Sequence, residues 1–437
     1  MNINIVRNKI SIASLLITGI FFSVSGFLIL LWLNGVPSMV KLMILLYCFI
    51  LSIFGVISCL SKFKFIRFIQ ALIPAILGLN FYFNPTSLPK LYAFLMGIYI
   101  SIIGVCKFID FIILNANKNK GRYLVLISSM ITFMFSVPLV LNPNANFEGA
   151  IILTAIFCIF HGLTYIGDFI YQIFPNKKFN GRKFRINLPI IFTSLLPKKA
   201  VLKINKLFES DEDKILFEES FVGDNKVDLE ILIHATDKGF SSMGHVDLVF
   251  EDTVYGYGNY DIDSWKFFQS IGDGILLKFK GKKKYINFRM KDIDGSTFAY
   301  GIRLTDDEYQ RVKKTLLDFE KHLVKWKCRY EKKINNEDIM GEPIDYLSRL
   351  YREGEMETYK FKDTSFKAYF VMSTNCVKLA DKILRAADIV AATPNGILTP
   401  GAYLDFFNRQ YSLVNSSVVS KKSYNPSGSI KHEKVIK

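Results

Sequence analysis

The chain has 437 residues, half of them hydrophobic, and a formal net charge of +16, a length that leaves room for two or three domains. A single soluble domain rarely holds so much apolar sequence, and the excess lies almost wholly before Phe174. Residues 1–174 carry +8 and 175–203 another +8, while 204–437 balance 36 bases against 36 acids; the surplus is topogenic, which argues against a nucleic-acid partner.

From the N-terminus, a basic segment Met1–Lys9 leads into apolar stretches near 10–33, 40–60, 68–83, 91–114, 122–142 and 149–174. Each approaches the roughly 20 residues that cross a hydrocarbon core; the third is short and carries Pro74. Ile10–Leu33 is too long for a signal peptide and no small-residue cleavage site follows it, so it reads as a retained first helix. Lys62, Lys64, Arg67, Lys118, Lys120 and Arg122 fill the even-numbered loops, and Arg7, Lys9 and the run Lys177, Lys178, Arg182, Lys183, Arg185 flank the ends; only Lys41 and Lys90 oppose them. Both termini are expected in the cytoplasm, in a multi-pass protein of the inner (cytoplasmic) membrane.

A shift of 58 residues superposes Asn84-Pro85 on Asn142-Pro143, Gly104 on Gly162, and Asp110-Phe111-Ile112 on Asp168-Phe169-Ile170, with a looser copy from Asn34 to Gly55. The repeat predicts an all-α transmembrane bundle of three helical hairpins, with a glycine for close helix approach halfway down each return helix. The pattern over 10–174 resembles the HdeD family of six-helix bacterial membrane proteins, one member of which is linked to acid resistance. Asp110 and Asp168 have two readings: pairing with Lys/Arg at the cytoplasmic interface, or a proton or ion role.

The second half reads as a basic juxtamembrane linker (175–203), a soluble α+β domain (204–411) and a disordered Ser-, Asn- and Lys-rich tail (412–437). Ile186–Leu196 is apolar but too short to span, and is expected along the inner leaflet with its flanking bases on anionic lipid headgroups. Val227–Ala235, Gly244–Glu251, Val254–Tyr260, Ile275–Lys280 and Tyr285–Met290 read as strands, with a hairpin at Asp252-Thr253. Thr305 with Glu308 forms a capping-box signature opening a helix to about Arg329; others are expected from Thr374 to Ile389 and from Thr399-Pro400.

Four of the six cysteines, Cys48, Cys59, Cys106 and Cys158, fall in apolar spans as small fillers. Cys328 and Cys376 make neither a disulfide framework nor, without a Cys-x-x-Cys pair, a zinc site. A reducing compartment fits, and no metal or cofactor is implied. In Ser373-Thr374-Asn375-Cys376, Thr374 as a cap puts Cys376 in a first helical turn, where free N–H groups and the helix dipole stabilise a thiolate. Leu379, Ala380, Ile383, Leu384 and Ala387 share its face, turning the sulfur toward a sheet. A thiol nucleophile needs a base. His245, opening a strand behind Gly244, is the first candidate and His234 the second, while His322 and His432 read as surface groups. Buried cysteine is more often inert, and a histidine at a strand start more often structural; the glycines of Tyr255-Gly256-Tyr257-Gly258 are no phosphate loop, since no Gly-Lys-Ser/Thr follows.

Gly244-His245, Val254 through Asp261, and Asn375-Cys376 together resemble circularly permuted NlpC-type papain-like proteins, in which histidine precedes cysteine. Lecithin retinol acyltransferase relatives share the order, and the bacterial lipoprotein N-acyltransferase Lnb family shares the Tyr-Gly-x-x-Asp stretch over about 225–410. The resemblance implies a permuted papain-like domain with Cys376 as nucleophile, His245 as base and a polar group between Tyr257 and Asp261, Asn259 first, orienting the imidazole. It implies a membrane-anchored thiol hydrolase or acyltransferase acting on an acylated or lipid-linked substrate; a cysteine peptidase or amidase and a non-catalytic membrane stress sensor are the alternatives.

Overall fold

Without water to satisfy them, backbone groups in a bilayer close their hydrogen bonds within a helix, and in a computed structural model of the protein the apolar runs are helical. The structure describes residues 3–31, 42, 45–53, 56, 65–84, 87–119, 121–173, 183–187, 189–209, 218–220, 226–236, 243–293, 295–339, 341–392, 397–413 and 416–425. The first half holds α1 (Ile3–Leu31), α2 (Phe65–Phe83, with Pro74 inside), α3 (Ser87–Ala116), α4 (Arg122–Leu141) and α5 (Pro143–Ile173). Of the segment expected near 40–60, 45–53 is helical and much of the rest lies outside the described residues. Among the described residues four stretches are long and apolar enough to cross a membrane: Ala13–Leu31, Pro89–Ala116, Arg122–Leu141 and Pro143–Ile170.

The chain divides into two compact units whose boundary cuts across the sequence. Ile17–Phe108 and Tyr123–Leu163 form one; Met1–Leu16, Ile109–Arg122 and Thr164–Lys437 form the other. In the helical unit the repeated glycines are contact points. A Cβ on Gly104 would lie 3.1 Å from the Phe133 ring, and one on Gly162 would lie 2.5 Å from the backbone nitrogen of Ser23. Ser129 donates to the Gly104 carbonyl at 2.9 Å, a polar bond between helices where hydrocarbon offers no alternative partner.

The other unit is built on a nine-stranded antiparallel sheet among its described residues. Its strands are β1 (Glu218–Ser220), β2 (Leu229–Ala235), β3 (His245–Phe250), β4 (Thr253–Gly258), β5 (Ile275–Lys280), β6 (Ser296–Ile302), β7 (Leu323–Lys325), β8 (Met356–Phe361) and β9 (Val418–Tyr424), in spatial order β1-β9-β6-β2-β3-β4-β5-β8-β7. Alternation sorts the side chains onto two cores. Ile231, Ile233, Val246, Leu248, Phe298 and Tyr300 face one, and Leu232, Val249, Val254, Leu277 and Ala299 the other. The β3–β4 hairpin turns at Glu251-Asp252, both at positive φ (49° and 59°), a combination that matches the twist of its strands.

Helices cover both faces. The second core is completed by α7 (Lys282–Ile293), through Tyr285, Ile286 and Phe288. The first is completed by α8 (Asp306–Glu320), α9 (Cys376–Ala386) and α10 (Pro400–Tyr411), and by Val201 of α6 (Leu196–Glu209). The Thr305–Glu308 capping box forms as expected, although α8 stops at Glu320. Thr399 caps α10 with Pro400 at its start.

Two expectations are corrected, and a third segment gains structure. Tyr285–Met290, read as a strand, lies inside α7, because its buried residues fall at helical spacing and the Asp252 carboxylate accepts the Lys282 N–H at 3.1 Å. The linker is folded: Lys183–Ile186 pairs in parallel with Ile389–Ala392, and Thr193 is buried at 3.2 Å from the Thr399 hydroxyl. The segment from 412, read as disordered, includes β9, whose Val418 and Val419 are buried and which pairs with both β6 and β1. Its last four residues are polar and half-buried, and the partners that make it a strand lie over 100 residues away. Residues 426–437 lie outside the described residues.

If β9 belongs to the sheet, hydrogen-exchange mass spectrometry of the full chain will find peptides within 416–425 protected to the same degree as β6. Val418→Asp, which buries a charge, should destabilise this unit by about 3 kcal/mol or more. Rapid exchange of 416–425 in the native protein would contradict the pairing.

Candidate active site

Helix α9 begins where Asn375 caps it. The Asn375 side-chain oxygen accepts the Lys378 N–H at 3.1 Å, and its amide donates to the carbonyls of Val371 (3.0 Å) and Leu398 (3.1 Å). The cap is therefore one residue later than the expected Thr374, and Cys376 becomes the first helical residue, at the positive end of the dipole. Leu379, Ala380, Ile383, Leu384 and Ala387 pack into the first core with Cys376, each large aliphatic contributing about 1.5–3 kcal/mol by burial. That packing fixes the helix and hence the sulfur.

His245 and Asp247 lie on the opposite face of the sheet from Val246 and Leu248, being odd members of the same strand. The two faces meet at the end of the sheet, where His245 is the first residue of β3 and Cys376 the first of α9. There the Cys376 sulfur is near enough to act electrostatically on the imidazole. Its Nε2 lies 2.9 Å from Asp247 Oδ1 and 3.1 Å from the Tyr260 hydroxyl. The His245 side chain is 21% exposed, whereas Asp247 is fully buried and Cys376 is itself buried. Behind it, Gly244 at φ +93° admits Pro400: a Cβ there would lie 2.8 Å from the proline ring.

Burial works against the His245 cation, but the Asp247 carboxylate and the Cys376 sulfur outweigh it and raise the imidazole pKa to about 10. Burial likewise opposes the Asp247 charge, which His245 and His234 nevertheless hold well below the usual carboxylate range. His234, paired with His245 across β2–β3, has the opposite fate. Its burial and the nearby Arg289 charge lower its pKa to about 4, against the pull of Asp247, so it is neutral at physiological pH. It is hydrogen-bonded to Thr297 Oγ1 at 2.8 Å; its Nε2 approaches Asp247 Oδ2 to 2.9 Å, ion-pair distance without hydrogen-bond alignment. That carboxylate oxygen accepts the Tyr285 hydroxyl at 2.6 Å. Of the two histidine candidates, only His245 presents an exposed edge and lies near the thiol.

Tyr369, itself buried, lies close to Cys376. Burial and the sulfur's charge raise its pKa well above that of an ordinary phenol, so it keeps its proton.

Asn259 lies elsewhere: its amide donates to the Gln269 carbonyl at 3.0 Å, and its own carbonyl accepts the Trp265 indole N–H at 2.9 Å. The groups that orient His245 are instead Asp247 and, from the expected Tyr257–Asp261 stretch, Tyr260. The signal for Asp247 was His-x-Asp on a strand, since residues two apart share a face. Gly256 belongs to the same arrangement. It pairs with Asp247 across β3–β4, and a Cβ there would lie 2.8 Å from Asp247 Oδ1. Asp110, on α3, accepts the Ser373 hydroxyl at 2.8 Å.

Among the described residues no group of three or more His, Cys, Asp or Glu side chains is placed to hold a metal ion. Comparison with protein-family models, with curated proteins and with solved structures returns no match.

Because the folded pKa of His245 lies above its unfolded value, the stability its charge contributes is fully present below about pH 6.5 and lost as pH rises through about 10. Asp247→Asn should bring the His245 titration, followed by imidazole NMR, at least about 2 units down toward the unperturbed value. An unshifted titration would remove Asp247 from this role.

Proposed function

We propose that the protein is a membrane-anchored thiol hydrolase or acyltransferase working through Cys376 and His245 on an acylated or lipid-linked substrate. The observation that carries this reading is the Cys376–His245–Asp247 constellation: a thiol at a helix start, an imidazole held as a cation beside it, and a buried carboxylate behind the imidazole. The resemblance to permuted NlpC-type proteins and the Lnb family supports the same assignment.

In this reading the Cys376 thiolate attacks the acyl carbonyl. The main-chain N–H of Cys376 and the Tyr369 hydroxyl donate to the developing oxyanion. The bond from the acyl carbon to its alcohol or amine then breaks, and His245 passes its proton to the departing group. Water or an amine attacks the thioester, gives its proton back to His245, and the C–S bond breaks to free the thiol. Asp247 and Tyr260 hold the imidazole in register. The 58-residue repeat of the first half supports a bundle of three helical hairpins, and its charge distribution supports placing the thiol domain on the cytoplasmic side of the inner membrane.

With the purified full-length chain, Cys376→Ala should abolish labelling by thiol-reactive acyl probes. His245→Gln should slow labelling near neutral pH by about 10²–10⁴-fold. Labelling of Cys376 unchanged by His245→Gln would overturn the dyad.

A further inference from the structure

The segment Trp265-Lys266-Phe267-Phe268-Gln269 is out of keeping with a protein surface that buries its aromatics. Phe268 is fully exposed, Phe267 is 75% exposed and Trp265 39%. Phe267, Phe268 and Gln269 all have positive φ (46°, 53° and 67°), a left-handed run that costs non-glycine residues energy and projects adjacent rings outward. The loop is braced: Asn259 holds Gln269 and Trp265, and Ser270 N–H donates to the Phe267 carbonyl at 3.1 Å.

Its position follows from a two-stranded ribbon. Ile271–Asp273 pairs antiparallel with Ala368–Phe370, Ile271 opposite Phe370, so the loop before 271 and the turn after 370 leave the same end. Val371 N–H donates to the Ser270 carbonyl at 3.0 Å, joining the two tips, and Val371 is itself 42% exposed. The second tip contains Ser373, hydrogen-bonded to Asp110, and leads directly into Asn375 and Cys376. Asp110 lies six residues before the end of the candidate span Pro89–Ala116, about 9 Å along the helix axis. The interfacial zone of one leaflet is only about 5–8 Å deep.

We infer that Trp265–Gln269 is a membrane wedge: Phe267 and Phe268 insert at the acyl–headgroup boundary beside Cys376, Lys266 meets anionic headgroups, and the acyl substrate reaches the thiol from the bilayer. Lipid is the occupant the geometry fits, because the neighbouring tip is tied to a span residue at the depth where tryptophan and phenylalanine partition. A cleft of about 460 Å³ beside the loop is lined by Trp265, Ile262 and Ile344, by the charged Arg329 and Glu342, and by Tyr260, whose hydroxyl lies 3.1 Å from His245 Nε2. The substrate part of this inference rests on Cys376 being the nucleophile; the insertion part does not.

The test uses the full chain reconstituted in phosphatidylcholine–phosphatidylglycerol nanodiscs, with Trp32, Trp265 and Trp326 changed to Phe and Phe268→Trp as the single reporter. Its emission should be blue-shifted and quenched by lipids brominated near the headgroup end of the acyl chain. Emission at the water-exposed position and insensitive to brominated lipid would overturn the wedge, and would assign the aromatic pair to a protein partner. In the otherwise native chain, Phe267→Ser with Phe268→Ser should slow labelling of Cys376 by a bilayer-embedded acyl electrophile about tenfold or more. Its reaction with water-soluble iodoacetamide should be unchanged. Equal rates with the embedded probe would overturn delivery from the bilayer; loss of both reactions only in Cys376→Ala separates that failure from a failure of the nucleophile.

Discussion

A carboxylate with no access to water sits at the centre of the candidate site, and much of the surrounding structure exists to satisfy it. Moving an ion out of water costs several kcal/mol, and breaking one member of a buried pair costs about 3–5 kcal/mol. Asp247 meets that cost with the Tyr285 hydroxyl on one oxygen and His245 on the other, with neutral His234 alongside. The same negative charge makes a protonated His245 the resting form, so one interaction stabilises the fold and prepares the imidazolium that faces the thiol. Gly256 leaves the space the carboxylate occupies, and α7 exists in the right place partly to bring Tyr285.

The two histidines show how local environment divides labour between identical side chains. They are cross-strand neighbours whose rings stack 6.3 Å apart, and both approach Asp247. His234 is enclosed, near Arg289, and is held neutral; His245 is at the rim, next to the sulfur, and is held charged. One braces the carboxylate and the other presents an open edge.

The unit boundary carries a functional implication as well. Met1–Leu16, Ile109–Arg122 and the segment from Thr164 onward cluster with the sheet rather than with the remaining helices. Within that unit, the Arg409 guanidinium lies 4.7 Å over the Tyr165 ring, and Asp110 accepts a hydrogen bond from Ser373 in the turn that precedes Cys376. Within this unit the turn before Cys376 is thus tied directly to a residue of α3.

Much of this was legible in the chain. Apolar length gave the long helices, the 58-residue repeat marked Gly104 and Gly162 as points of close approach, and the cap residues located the starts of α8 and α10. Cys376 and His245 were also readable, because a helix start and a strand start are local features. What the sequence could not supply were partners decided by packing across long separations. Tyr285–Met290 has strand-like residues but is helical through an Asp252 cap 30 positions away, and the polar β9 is a strand only because β6 accepts it. Asn259 was the natural orienting residue by order along the chain, yet pleating and the end of the sheet gave that place to Asp247 and Tyr260. Local patterning determines which groups are able to act; which of them meet is settled by the register of strands and the burial of charge, and neither is written in any one stretch of residues.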